Sequence, residues 1–292
     1  MNAAWTTWPA PAKLNLFLHI VGRRADGYHL LQTVFQLLDW GDEVHLRPRT
    51  DGTIVRTNEV PGVPAANDLG VRAAQLLREH TRTTAGADIR IDKRIPLGGG
   101  LGGGSSDAAS VLVALNELWQ TGLSLEELAA LGLTLGADVP VFVFGHSAWA
   151  EGVGESLTPI DLPPRVFIIV DSGVQVSTKS LFAAPELTRN TAPATISGYL
   201  AGMGTANAFA PVVRMRYAQV AAAMDWLNQF GVARLSGSGG CVFVAVESSA
   251  RAESILRACP PEFRAYRADG VAQSSLRKAV DVYRETLASA EE

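Results

Sequence analysis

Apolar and polar positions along the first hundred residues follow the pattern of a β-rich segment. Short apolar stretches separated by turn residues predict strands at 14–21, 33–38, 43–47 and 54–57. Over 87–95 the apolar side chains fall mostly at every second position, which predicts a further strand. The chain therefore begins with material for a sheet.

Helical spacing of apolar residues becomes the dominant pattern further along. It predicts one helix over 67–79 and a second that opens near Ser105 and ends before Gly122. A third helix is expected from Ser124 to about Leu131. A serine followed three residues later by a glutamate has the spacing of a capping box, in which each side chain satisfies the other's free backbone N–H.

The second half of the chain alternates predicted strands and helices. In order, these are strands at 139–144 and 165–170, a helix over 212–230, a strand at 241–246, a helix over 250–258 and a polar helical tail. The pair Pro163-Pro164 precedes the second of these strands and is the best linker candidate in the sequence. Two domains, 1–163 and 164–292, are therefore expected, as suits a chain longer than one typical domain.

Composition and charge narrow the class of protein. Of the 292 residues, 47% are apolar and 18% are charged, as in a compact globular protein. The formal net charge of −4 gives no field that would gather nucleic acid or an anionic membrane. No apolar run reaches the roughly 18 residues of a membrane span, and no leader pattern opens the chain. We expect a cytoplasmic protein, a monomer or weak homodimer, whose partner is a small molecule rather than nucleic acid or membrane.

The segment with the clearest chemical meaning carries six glycines directly ahead of a predicted helix. Glycine lets the backbone approach a ligand closely, and the free N–H groups and dipole of a helix N-terminus favour an anion. A polyphosphate fits this description, with serine hydroxyl groups in the first helical turn. The predicted phosphate-binding residues are Pro96, Leu97, Gly98, Gly99, Gly100, Leu101, Gly102, Gly103, Gly104, Ser105 and Ser106.

Three other interpretations of this glycine segment are weaker. A Walker loop ends in Gly-Lys-Ser/Thr, and no lysine follows these glycines, which excludes it. A dinucleotide fingerprint can be fitted to 98–103, but the early βαβ unit with its acidic residue is missing. A flexible turn without a ligand stays open, although a solvated linker rarely leads into so apolar a helix.

The glycine segment is the second of three motifs that resemble those of the GHMP kinase superfamily. The first is Pro11-Ala12-Lys13-Leu14-Asn15-Leu16, and the third is Leu235-Ser236-Gly237-Ser238-Gly239-Gly240. Five segments are similar, more narrowly, to the branch of the superfamily that phosphorylates 4-diphosphocytidyl-2-C-methyl-D-erythritol. They are Pro11 to Leu18, Arg24 to His29, Ile91 to Ser106, Leu135 to Pro140 and Ala150 to Gly154. The likeness covers most of the chain.

The resemblance implies a two-domain α+β fold, with a mixed β-sheet in the N-terminal domain, a ferredoxin-like C-terminal domain and the active site in the cleft. It implies transfer of the γ-phosphate of ATP, bound with Mg²⁺, to the 2-hydroxyl of that substrate in the non-mevalonate route to isoprenoid precursors. The family's catalytic pair maps onto Lys13 and Asp138, and Lys93 joins the glycine segment in the nucleotide site. The substrate contacts map onto Asn15, Tyr28, His29 and Phe182.

Several of these residues also have a simpler explanation in the local sequence. Asp138 lies in a turn before an apolar stretch, where a turn or capping role is common. Lys13 interrupts an apolar stretch, so its ammonium needs a polar partner unless it is a surface lysine. Asp107 stands where the family often has a neutral residue, and its charge suits a helix start. Ser106 is a candidate Mg²⁺ ligand, and no carboxylate identifies itself as a second one, so the metal ligands stay unassigned.

Two other functions remain open on the sequence alone. A sibling GHMP kinase acting on homoserine, mevalonate or a sugar is separated from the leading interpretation by the segment 24–29. A catalytically silent relative that senses a nucleotide or sugar is disfavoured because both Lys13 and Asp138 are present.

Overall fold

The computed structural model describes residues 4–203 and 205–291. The outermost residues of the two predicted domains, 1–3 and 292, and position 204 lie outside the described residues. Strands from both halves of the chain share one sheet of mixed direction, flanked by helices, which confirms the predicted α+β class. Within the described ranges, no helix is both long enough and apolar enough to cross a membrane.

The N-terminal half builds a sheet around two long strands that pair antiparallel, from Thr6 opposite Leu46 to Arg23 opposite His29. Its elements are β1 (Thr6–Arg23), β2 (His29–Arg49), β3 (Ile54–Arg56), α1 (Leu69–Thr81), β4 (Gly86–Asp92), α2 (Gly103–Leu118), α3 (Leu125–Leu135), α4 (Val139–Phe144), β5 (Ala148–Glu151) and β6 (Ser156–Pro159). The β3–β4 pair is parallel, and β4 and β5 both pair antiparallel with β2. The sheet is therefore mixed, as the resemblance implied.

The C-terminal half has the strand order β10-β7-β9-β8 with every pair antiparallel. Its elements are β7 (Val166–Asp171), α5 (Thr178–Phe182), α6 (Ile196–Leu200), α7 (Ala210–Arg216), α8 (Ala218–Leu227), β8 (Arg234–Leu235), β9 (Cys241–Val246), α9 (Ser249–Arg257), β10 (Arg264–Val271) and α10 (Ser275–Glu291). Helices lie between β7 and β8 and between β9 and β10, so the chain follows the βαββαβ course of a ferredoxin-like domain.

The two halves are joined by backbone pairing rather than by side chains alone. The end of β10 pairs with β2, with Gly270 opposite Leu38 and Val271 opposite Leu37. The proline pair lies between β6 and β7, the last strand of the first half and the first strand of the second. Division of the chain at residue 163 stays a prediction, because the sheet itself is continuous.

The strand predicted at 139–144 is wrong, because this segment is the helix α4. Val139 to Val143 are buried on every side, so the run has no polar face to reveal a period, and six apolar residues are too few to separate a buried helix from a buried strand. Pro140 lies in the first turn, where a missing N–H is tolerated. Gly145 ends the helix with a left-handed φ of 72°.

Other boundaries also differ from those predicted. The separate strands at 33–38 and 43–47 are parts of β2, because the backbone stays extended between them and pairing with β1 resumes at Gly41 and Asp42 after a register shift. The helix predicted over 212–230 breaks at Tyr217, whose extended backbone (φ −128°) divides it into α7 and α8. The strand β10 was missed because most of its side chains are only half-buried, and their sequence shows little apolar alternation.

Gly145 gives a test of the turn that ends α4. A Cβ at this position would lie 2.2 Å from Cγ of Arg277, whereas one at Gly173, with nearly the same φ (74°), would meet nothing within 4 Å. We expect Gly173→Ala to lower the free energy of unfolding by about 1–2 kcal/mol, because alanine is strained in the left-handed backbone conformation. Gly145→Ala is expected to lower the free energy of unfolding by about 1–3 kcal/mol more than Gly173→Ala, because its Cβ would also overlap Arg277. Urea unfolding measures both, and equal costs would show that the Arg277 contact relaxes without penalty.

Candidate active site

A cleft of about 930 Å³ opens between the two halves of the molecule and is lined from both. It contains much of the site that the sequence predicted. The predicted residues in its wall are Lys13, Asn15, Tyr28, His29, Gly100, Ser105, Asp138 and Phe182. The third motif reaches the same cleft through Gly237 and Ser238, so the motifs near the start, middle and end of the chain converge on one cavity.

Lys13 lies at the bottom of the cleft with only 2% of its side chain exposed, which excludes the surface-lysine interpretation. Its Nζ is 3.2 Å from Oδ2 of Asp138 and donates hydrogen bonds to Oδ1 of Asn15 (2.5 Å) and to the carbonyl of Gly100 (3.0 Å). It also lies 5.4 Å from the centroid of the Phe35 ring, within the range of a cation–π contact. Every side of the ammonium is therefore occupied or directed at Asp138.

Asp138 is positioned by α4, the helix that the sequence analysis took for a strand. It is the residue immediately before the helix, but its side chain makes no capping hydrogen bond with the first turn. Its carboxylate, 35% exposed, instead lines the cleft and faces Lys13. The capping interpretation does not hold, and the carboxylate is available to a ligand.

The glycine segment leads into α2, which begins at Gly103, two residues earlier than predicted. Gly102, the residue before the helix, offers no side-chain cap, and the first turn contains no acidic residue. Among the described residues, no acceptor is found for the backbone N–H groups of residues 100–105. A helix N-terminus with free donors beside an open cleft is a ready anion site.

Gly100 shows why this position admits no side chain. It has a φ of 77°, and a Cβ there would lie 2.1 Å from the carbonyl oxygen of Ser236 in the third motif. Ser236 Oγ in turn donates to the Gly100 carbonyl (2.9 Å), and Cys241 N donates to Gly99 O (3.0 Å). The third motif is thus packed directly against the glycine segment and supports it.

The two serines of the first turn of α2 have different surroundings. Ser105 lines the cleft, whereas Ser106 is fully buried and its hydroxyl donates to the carbonyl of Pro11 (2.6 Å). Ser106 therefore holds the first motif against α2 and does not fit the Mg²⁺ role suggested for it. Ser105 is the serine hydroxyl of the glycine segment that a ligand in the cleft can reach.

Lys93 is engaged by two carboxylates rather than lying free beside the glycine segment. Its ammonium contacts Asp42 and lies 2.6 Å from Asp107 Oδ2. Asp107 Oδ1 is buried and has no hydrogen-bond partner among the described residues. One ammonium cannot balance two buried carboxylates, and burial together with the charge of Asp42 raises the pKa of Asp107 to about 8. Asp107 is therefore a buried partner of Lys93 and not a surface charge at a helix start.

The predicted base-stacking residues form a cluster at the other end of the cleft. The rings of His29 and Phe182 stack on each other with centroids 4.5 Å apart and an interplanar angle of 13°, while Tyr28 is 64% exposed. Burial, followed by the charges of Arg23 and Arg189, lowers the pKa of His29. His29 Nε2 is buried without a hydrogen-bond partner in the described part of the chain. A neutral imidazole with an unused nitrogen faces this region.

Several residues of the site were missed by the sequence analysis. Thr33 accepts a hydrogen bond from Asn15 Nδ2 (2.9 Å) and so orients the amide whose oxygen contacts Lys13. Arg23 and Lys179 add positive charge to the wall of the cleft. Thr33 gave no signal because a single threonine in a strand is ordinary, and Lys179 lies on a short helix with no recognisable motif.

Comparison with known proteins shows the family to which the chain belongs. The GHMP kinases N terminal domain matches residues 68–146, and the GHMP kinases C terminal domain matches residues 194–265. The 4-diphosphocytidyl-2-C-methyl-D-erythritol kinase of Xanthomonas campestris pv. campestris (strain B100) is 57% identical over 281 residues, covering 96% of this chain and 95% of its own length. The chain belongs to the 4-diphosphocytidyl-2-C-methyl-D-erythritol kinase family.

Further relatives support the family assignment and the fold. The kinase of the same name from Aromatoleum aromaticum is 56% identical over 269 residues, covering 92% of this chain and 94% of its own. A crystal structure of 4-(cytidine 5'-diphospho)-2C-methyl-D-erythritol kinase superposes with a TM-score of 0.78 at 33% identity, covering 91% of this chain and all of that one. The mevalonate kinase of Methanococcus jannaschii (TM-score 0.65, 16% identity, 92% and 98% covered) shares the fold alone.

The charge imbalance around Lys93 predicts a pH-dependent stability. Because the pKa of Asp107 is raised from 3.8 to about 8, the folded protein holds a proton over that range that the unfolded chain has released, and stability falls as the pH rises. We expect Asp107→Asn to raise the free energy of unfolding at pH 8 by at least about 1 kcal/mol, and to change it little at pH 4.

Urea unfolding at the two pH values measures this effect. Asp161→Asn is the control, since that carboxyl group is exposed and has no ion-pair partner among the described residues. If Asp107→Asn raised the free energy of unfolding equally at pH 4 and pH 8, the assigned titration of Asp107 would be wrong.

Proposed function

We propose that this protein transfers the γ-phosphate of ATP to the 2-hydroxyl of 4-diphosphocytidyl-2-C-methyl-D-erythritol. The proposal rests on membership of the kinase family and on one observation above all. A buried ammonium and a partly exposed carboxylate, Lys13 and Asp138, face each other in a cleft next to an uncapped helix N-terminus. Phosphoryl transfer needs a group that orients the hydroxyl, a fixed positive charge and a phosphate cradle, and this cleft supplies all three.

In this mechanism Asp138 accepts a hydrogen bond from the acceptor hydroxyl and takes its proton as the hydroxyl oxygen bonds to the γ-phosphorus. The bond from that phosphorus to the β-phosphate oxygen breaks, and ADP is the leaving group. Lys13 stays in place because its other donors are tied to Asn15 and Gly100, so its charge is preorganised before substrate arrives. The ammonium then stabilises the negative charge that spreads between the hydroxyl oxygen and the transferred group. Little movement of protein atoms is required at the moment of transfer.

The phosphates of ATP are assigned to the N–H groups of the glycine segment and the first turn of α2. The Ser105 hydroxyl, in the wall of the cleft, is available either to a phosphate oxygen or to a Mg²⁺ that keeps most of its waters. When bound with ATP, Mg²⁺ neutralises charge on the phosphates. Arg23 and Lys179 are assigned to the diphosphate of the acceptor, because they add positive charge to the cleft wall near the aromatic cluster.

The cytosine of the acceptor is assigned to the cluster of Tyr28, His29 and Phe182. His29 and Phe182 are too close for a base to enter between them, since a ring needs about 3.5–4.0 Å on each side. The base therefore stacks on the open ring of Tyr28, or displaces His29 from Phe182. A neutral imidazole offers one donor and one acceptor, which suits the carbonyl or ring nitrogen and the exocyclic amine of cytosine.

The role of Asp138 is tested by Asp138→Asn, which keeps the shape of the side chain and removes the base. We expect kcat to fall by about 10²–10⁴-fold, the usual range for a positioned acid–base group. Binding of ATP, measured by calorimetry, should change little. Near-normal turnover in the variant would remove Asp138 from the chemistry.

The assignment of the acceptor base is tested by comparing the cytidine substrate, its uridine analogue and methylerythritol phosphate. We expect a strong loss of kcat/KM for both analogues, and a cytidine preference about tenfold smaller in His29→Ala, as loss of one or two hydrogen bonds implies. His80→Ala, at an exposed histidine on α1, is the control. Equal use of the three acceptors would leave only a general alcohol kinase.

A further inference from the structure

A second cavity of about 450 Å³ lies behind the active-site cleft, on the opposite face of the same strands. We call it the rear cavity; its wall includes Leu16, Gln36, Arg165, Phe167, Tyr199 and Arg234. On β1 and β2 the neighbours Asn15 and Phe35 line the cleft instead, and they are paired across the two strands. Successive residues of a strand face opposite sides, so the sheet separates the two cavities.

The polar part of the rear cavity is positively charged and lacks a counter-charge. Neither Arg165 nor Arg234 has a carboxylate within ion-pair distance in the described residues, and Arg234 is held in place by hydrogen bonds from Nη1 to the carbonyls of Leu16 and Thr205. Tyr199 and both arginines line the same cavity. Burial raises the pKa of Tyr199, and the charges of Arg234 and Arg165 oppose that rise. Two guanidinium groups and a hydroxyl donor together suit an anionic group with several acceptor oxygens.

The remainder of the wall is apolar and includes exposed side chains. Phe167 and Phe243 meet edge to face with centroids 5.9 Å apart on the sheet side. Leu200 is 53% exposed and Val232 is 73% exposed, and both belong to the same wall. Large exposed apolar side chains grouped around a cavity indicate a surface that a ligand covers.

We propose that the rear cavity is a second ligand site, separate from the catalytic cleft, for an amphipathic anion: an apolar chain that ends in a phosphate or carboxylate group. The anionic end contacts Arg165, Arg234 and the Tyr199 hydroxyl, and the chain packs against the exposed side chains of Leu200 and Val232. The anionic group of such a ligand matches the charged end of the wall, and its apolar chain matches the apolar end. A ligand with only one of these features would contact only one end. This proposal does not depend on the reaction in the cleft.

The site can be probed by calorimetry with decyl phosphate and decanoate, and with decanol and inorganic phosphate as the half-ligands. The intrinsic fluorescence of the six tryptophans is a second readout, because the ring of Trp149 lies 6.3 Å from that of Tyr199. We expect one saturable site for a ten-carbon anion, and affinities about tenfold or more lower for both half-ligands. The better of the two head groups identifies the source of the anion. Saturation of the cleft with ATP should leave this binding unchanged.

Two variants test the two ends of the ligand. Arg165→Gln and Leu200→Asp change exposed side chains, so both should fold, and each is expected to weaken decyl phosphate binding by about tenfold or more. Arg72→Gln, an exposed arginine on α1 without an ion-pair partner in the described residues, is the charge-matched control and should bind as the wild type does.

Three outcomes would overturn the proposal. Unchanged affinity in Arg165→Gln and Leu200→Asp would place the probe elsewhere, and loss of binding in the presence of ATP would place it in the cleft. If the wild-type protein sediments as a dimer and the Val232→Asp variant as a monomer, a second copy of the chain covers the apolar wall instead.

Discussion

The buried ammonium of Lys13 is the interaction on which the arrangement of the cleft depends. A charge removed from water costs several kcal/mol unless it is paired and hydrogen-bonded. Its partners come from three separate parts of the chain: Asn15 on the same strand, Gly100 in the glycine segment and Asp138 before α4. Satisfying one ammonium therefore fixes the relative positions of the residues assigned to orientation, phosphate binding and proton transfer.

Close backbone packing holds these segments at that distance. The absence of a side chain at Gly100 lets the glycine segment touch the third motif. The Ser236 hydroxyl of that motif links the glycine segment to β1, because it donates to the Gly100 carbonyl and accepts from Asn15 N. Asn15 is in turn the neighbour of Lys13 in the charge network. A stretch from the C-terminal half thus directly supports the residues of the N-terminal half to which we assign catalysis.

The sequence was most informative where chemistry imposes a residue type, and least informative where burial erases the pattern. The sequence singled out the glycine segment, Lys13 and Asp138 because their residue types are unusual in their surroundings. In addition, three family motifs occur in the expected order along the chain. The helix α4 was misassigned because Val139 to Val143 are buried on all sides, so neither period is visible. The partners of Lys93 could not be found either, since Asp42 and Asp107 are 65 positions apart and meet only in the folded sheet and helix.

The same misassigned helix shows how local structure and function are linked in this site. In a strand, Asp138 would be one of several alternating side chains, with its backbone committed to pairing. It precedes a short helix whose first five residues are buried, so its backbone is firmly held. Its side chain makes no capping hydrogen bond, and its carboxylate lies towards Lys13 instead. Local rules for helix starts are therefore not followed at the position where the proposed chemistry needs a free carboxylate, as expected of a functional residue.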